Sequence, residues 1–127
     1  MNMSFSNYLE TKVLGHVFGG TAYTQPTKYI ALYSSAPGEA GGGTEISGTN
    51  YVRQTAAFTV TGDTASNTAA IEFPTAGSSW GTITHIGVMD ASTSRNLLAY
   101  GTLTASKTIA SGDVFRIPLG DLDITLN

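Results

Sequence analysis

The side chains that could do chemistry are few and scattered. His85 and Asp90 form a His–carboxylate pair five residues apart, and Ser92 and Ser94 follow as hydroxyls that such a pair could activate. Along a strand, however, that separation puts His85 and Asp90 on opposite faces, where they are poorly placed to pair. Ser92 and Ser94 fall in a run of small polar residues whose ordinary role is to form a turn. His16 lies beside Lys12 on a helical pattern, off its apolar stripe, as a solvated or interface residue would. Two His far apart and no Cys leave no thiolate nucleophile, no disulfide and no ligand set for structural zinc. Asp121 and Asp123 share a strand face and could offer calcium two carboxylates. Such a pair more commonly keeps an edge strand solvated and resistant to aggregation. Gly41-Gly42-Gly43-Thr44 lacks the Lys and the strand–helix setting of a phosphate loop. Catalysis needs titratable groups that converge, so no catalytic residue, metal or cofactor is expected.

The totals point the same way. A chain of 127 residues is read as one domain, residues 1–127, with a single core. Charged residues make up only 12%, and the net charge of −3 leaves no basic patch, so nucleic acid is not an expected partner. The opening residues have neither a basic nor an apolar run, and nothing approaches the roughly 20 apolar residues of a membrane span. The absence of Cys fits synthesis in a reducing cytoplasm. Strands rich in Thr, Ser and Gly fit a structural or binding module.

The elements that must position any site centre on Trp80 to Leu103. Thr82 to Met89 and Leu97 to Leu103 read as two strands around the polar turn Asp90 to Asn96. Ile83 and Met89 point one way along the first strand, Ile86 and Val88 the other. On the second, Leu97, Ala99 and Leu103 oppose Leu98 and Tyr100. Apolar residues on both faces place this pair in the middle of a sandwich. Gly87 and Gly101 would admit another backbone or a large ring, and Trp80 is a packing anchor.

At the start of the chain, Ser6 or Asn7 can cap a helix over about 7–18, with Leu9, Val13, Leu14, Val17 and Phe18 on one face. That helix plugs one end of the sandwich or docks on a neighbour, the plug being the simpler role. Lys28 to Tyr33 is an interior strand. The Gly-rich loop 36–49 fits no regular element and is expected to be mobile when free. Tyr51 to Val60 alternates, with Val52, Ala56, Phe58 and Val60 inward and Tyr51, Arg53, Thr55 and Thr59 on a wet face. Ser66 to Phe73 is a further strand and Lys107 to Ile109 a brief one. Phe115, Ile117 and Leu119 share a face, and Pro118 favours an edge. The tail, 121–127, alternates with Leu122, Ile124 and Leu126 inward. About eight short strands give an all-β fold, an antiparallel, jelly-roll-like β-sandwich with a short N-terminal α-helix.

Several stretches together resemble a family. They are Ser6-Asn7-Tyr8-Leu9-Glu10, His16-Val17-Phe18-Gly19-Gly20-Thr21-Ala22-Tyr23, Tyr29-Ile30-Ala31-Leu32-Tyr33 and Gly41-Gly42-Gly43-Thr44-Glu45-Ile46-Ser47-Gly48. Tyr51-Val52-Arg53-Gln54, Ser66-Asn67, Ile71-Glu72-Phe73-Pro74, Trp80-Gly81-Thr82-Ile83-Thr84-His85-Ile86-Gly87 and Leu122-Asp123-Ile124-Thr125-Leu126 continue it in order. The chain is similar, over nearly its whole length, to small virion proteins of tailed bacteriophages, often labelled tail-fibre or structural proteins. The resemblance implies a non-enzymatic protein of the virion, made in the host cytoplasm. Similar small β proteins cement capsid shells, commonly as trimers.

Capsid cement is the leading functional expectation, with a tail-fibre or baseplate component as the alternative. The expected partners are the major capsid protein or tail proteins, and further copies of the chain, with a trimer favoured. Candidate contact residues are Leu9, Val13 and Phe18 on the helix, Glu39 and Glu45 in the loop, and Tyr51 and Arg53 on the outer strand face. From another class, a carbohydrate-binding module would use exposed tyrosines. A hydrolase would depend on His85 or Asp90.

Overall fold

The computed structural model describes residues 1–126; Asn127, the end of the expected tail strand, lies outside them. In chain order the elements are β1 (Asn2–Phe5), α1 (Asn7–Val17), β2 (Lys28–Tyr33), β3 (Gln54–Ala56), β4 (Phe58–Thr61), β5 (Thr64–Asn67), β6 (Ile71–Glu72), β7 (Gly81–Met89), β8 (Leu97–Ile109), β9 (Arg116–Ile117) and β10 (Asp123–Thr125). The fold is all-β with a short N-terminal helix, as the strand spacing led one to expect. No described helix is long and apolar enough to cross a membrane.

Eight strands form one continuous sheet in the order β3-β2-β7-β8-β1-β10-β5-β4, and β6 pairs with β9 in a small second sheet. The pairing of β1 with β10 is parallel and the others are antiparallel. The sheet has two corners, β1 and the junction at Ala57. Asn2 and Met3 pair with β10, whereas Ser4 and Phe5 of the same strand pair with β8. The two sheet edges, β3 and β4, are separated in sequence by Ala57 alone, yet β3 pairs with β2 and β4 with β5. The layers of the sandwich are therefore halves of one sheet that turns at β1 and comes back on itself through Ala57, close to a closed barrel.

The main core fills this barrel. Phe73, Ile30, Leu32, Ile83, Ile86, Leu122 and Val88 are fully buried, each aliphatic contributing roughly 1.5–3 kcal/mol. Trp80 is the anchor its position suggested: it is buried, its Nε1–H donates to the Thr49 carbonyl at 3.1 Å, and it meets Tyr51 edge-on at 5.5 Å. A second, smaller cluster, Ala31, Tyr33, Met89 and Leu97, lies on the other face of the β2–β7–β8 region. This is why these strands carry apolar residues on both sides.

The glycines act as expected. A Cβ on Gly87 would lie 2.9 Å from the Tyr33 ring, and one on Gly101 would lie 2.6 Å from the Asn2 carbonyl of β1.

Simple alternation fails where the ladder is irregular. Ile83 pairs with Lys107 but His85 with Thr102, so Leu103 to Ser106 bulge out opposite Thr84. Ile83 consequently joins Ile86 and Val88 in the main core, while Met89 faces the second cluster. A second shift, at Val88 and Met89, leaves Leu98 between two paired neighbours and sends Leu98 and Leu97 to different clusters. Lys107 to Ile109 is the far end of β8, not a separate strand. The stretch Ser66 to Phe73 is broken after Asn67. The buried Asn67 amide donates to the Ala69 and Pro118 carbonyls at 2.8 and 3.0 Å and accepts from Leu122 N–H at 2.9 Å, which carries the chain across to β6. Leu119 and Leu126 are exposed rather than inward.

Candidate interaction surface

Of the residues first singled out for chemistry, His85, Asp90, His16 and Asp123 have local partners. His85 Nδ1 shares a hydrogen bond with Thr84 Oγ1 at 2.7 Å. Asp90 accepts from the Asn96 backbone N–H and side-chain amide at 2.9 and 3.1 Å, which closes the β7–β8 turn. Ser92 and Ser94 are exposed on that turn. His16 Nδ1 accepts from Tyr23 N–H at 3.0 Å, and Asp123 accepts from the Ser66 hydroxyl. Among the described residues, no three of His, Cys, Asp or Glu converge on a metal-sized site.

Three of the contact candidates form an internal ionic anchor. Arg53 grips Glu45 through one guanidinium edge, Nε to Oε2 at 2.8 Å and Nη2 to Oε1 at 2.7 Å. Its Nη1 donates to the Ala91 and Ser94 carbonyls at 2.8 and 3.0 Å. Tyr51 donates to Glu45 Oε2 at 2.6 Å and accepts from Leu32 N–H at 3.0 Å. Arg53 thus ties loop 36–49 to the β7–β8 turn, where Ser94 and Arg95 hold left-handed backbone (φ 51° and 68°). Glu45 is presented by a single bridge to Tyr33 and by Ile46, which is buried and whose N–H bonds the Leu32 carbonyl at 2.9 Å. Burial works to raise the Glu45 carboxyl, but the hydrogen bonds from Arg53 and Tyr51 outweigh it and hold it below its ordinary value. Burial and the bond to Glu45 push the Tyr51 phenol up.

The expected outer face of residues 51–60 is therefore inverted at its start. Arg53 is only 8% exposed and Tyr51 stacks on Phe73 at 6.2 Å, whereas Val52 and Val60 point to solvent. Ion pairing and aromatic packing override the alternation, and regular pairing starts only at Gln54. Arg53 is thus buried and Tyr51 half-buried, and their polar ends line a groove between residues 45–46 and the β7–β8 turn rather than a flat strand face.

The helix is held at its start and open along its length. Ser6 is the N-cap: its hydroxyl accepts from Leu9 N–H at 3.2 Å and donates to the Leu97 carbonyl, and its own N–H bonds the Leu98 carbonyl at 2.8 Å. Asn7 N–H bonds the Glu39 carbonyl at 2.9 Å, so loop 36–49 also braces α1. Tyr8 and Leu9 pack on the core, Val13 is half-buried, and Leu14, Val17 and Phe18 stand in water, Phe18 at 83% exposure. The plug role is met only by the first turn, because the stripe is longer than the barrel end it covers.

Of the seven contact candidates, Glu45, Tyr51 and Arg53 are brought together in one hydrogen-bonded cluster along a groove. Glu39 is exposed at the helix start, Leu9 belongs to the core, and Val13 and Phe18 lie on an apolar face. That face also includes Leu14, Phe5, Leu126 and Val60, which were not among the candidates. Leu14 was visible on the helical stripe, but nothing in the sequence sets Phe5, Leu126 and Val60 side by side.

A barrel-like β fold with an internally braced loop and an open apolar end is the build of a structural module that works by contact. A family model described as Podophage GP4 fiber I protein gp80 matches residues 4–125, and the chain belongs to that family of phage fibre structural proteins. No curated protein matches the chain.

Proposed function

We propose that this protein is a non-enzymatic structural subunit of a tailed-phage virion, carried at the tail as a fibre-type component in several copies, with a trimer as the expected assembly. The observation that carries this reading is the family match across residues 4–125, which takes in every element from α1 to β10 and the second half of β1. The apolar face at the helix end supports it, since a contact module needs surface of that kind. Its partners on this reading are tail proteins and further copies of itself.

Capsid cement is the second reading. It is favoured by shape: a nearly closed barrel with one helix across an end is suited to sitting on a shell lattice, where many copies stabilise by avidity. Cryo-electron microscopy of the virion with this chain located in the map separates the two. Density on the tail is the expected result. Density at threefold or quasi-threefold positions of the capsid would replace the fibre reading with cement. A glycan array on the purified chain tests whether the tail component also binds host carbohydrate.

A further inference from the structure

The exposed apolar side chains at the helix end form one face. Phe5, Val13, Leu14 and Leu126 line a groove of about 430 Å³, with Glu10 at its rim. Phe5 and Leu126 also line an adjoining groove of about 200 Å³ that reaches Val60. Val17 and Phe18 continue the face one turn further along α1. Phe18, Val60, Val17, Leu14 and Leu126 are each at least half exposed, and together they leave roughly 600 Å² of apolar surface in water. That is at the upper end of what a monomer ordinarily exposes and near the roughly 800 Å² each partner buries in a stable complex.

The shape of the face selects its occupant. It carries a ridge, Leu14-Val17-Phe18, beside grooves of about 430 and 200 Å³, volume enough for a phenyl ring. A knob and a hole side by side on one molecule fit a second copy, and repeating the contact head-to-tail closes a ring when the rotation allows. We propose that this face is the self-association surface, with Phe18 of one copy seated in the Phe5–Leu126 groove of the next. The inference rests on the multi-copy reading above and adds the surface that joins the copies.

Sedimentation velocity tests it, using wild type, Phe18→Asp, Val60→Lys and, as control, Val52→Lys, whose side chain is exposed but lines neither groove. All three positions face solvent, so the variants keep the core intact. The expected result is a wild-type oligomer, association weakened roughly tenfold or more in Phe18→Asp and Val60→Lys, and a control like wild type. An oligomer that persists in both face variants overturns this surface and leaves the multi-copy reading standing. A wild type that stays monomeric at high micromolar concentration overturns both.

Discussion

Arg53 shows how much one side chain can hold in a fold with few charges. Its guanidinium makes bonds to a carboxylate and two carbonyls on segments far apart in the chain. Removing the carboxylate leaves a buried cation without its counter-charge, so Glu45→Gln is expected to cost about 3 kcal/mol in urea unfolding. The pair also sets an acid limit. The Glu45 carboxyl titrates lower in the folded protein than in the unfolded chain, so the unfolded state takes up protons first. Its contribution is full above the ordinary value of 4.5 and is lost as pH falls through the lowered folded value. Urea midpoints measured from neutral pH downward should fall below about pH 4.5 in the wild type and flatten in Glu45→Gln; parallel profiles would count against the pair.

Elements depend on a few residues at their ends and crossings. Ser6→Ala removes both the cap of α1 and a buried bond to the Leu97 carbonyl. A loss of about 1–2 kcal/mol is expected, with faster hydrogen exchange at the Leu9 amide as the local sign. Gly101→Ala pushes a Cβ into the Asn2 carbonyl and should prise β1 from β8, whereas Gly62→Ala meets open space in the β4–β5 turn and should cost only about 1 kcal/mol of left-handed strain. Thermal melts of the two variants decide this; equal losses would mean that β1 gives way freely. Elements were also the scale at which the sequence was most legible. The β7–β8 hairpin, the helix and the β10 strand were visible because local periodicity marks helix and strand, although burial did not follow it at Leu126 or along Leu14, Val17 and Phe18. The bulge at Leu103 to Ser106, the break at Asn67 and the inward turn of Tyr51 and Arg53 were not. Each depends on a partner distant in sequence: Lys107 against Ile83, Leu122 on Asn67, the Ala91 and Ser94 carbonyls on Arg53. The apolar face was half visible for the same reason, its helical stripe being local and its strand half assembled by the fold.

At the scale of the whole molecule, one sheet with two corners means that neither half has a finished edge without the other. Unfolding should therefore be a single cooperative transition. Trp80, the lone Trp, sits in the core beside Tyr51, so its fluorescence reports packing while far-UV circular dichroism reports the strands. The two urea curves are expected to coincide, and separated midpoints would show that the halves melt apart. The pairing of Asn2 with Asp123 has a further consequence during synthesis. The first strand emerges from the ribosome well over a hundred residues before the strand it must lie beside. Until then β1 and β5 each lack the neighbour that covers them, and the growing chain presents raw sheet edges. Closing the barrel thus waits on β10 rather than being built up step by step, so the first residues made are among the last to find their place.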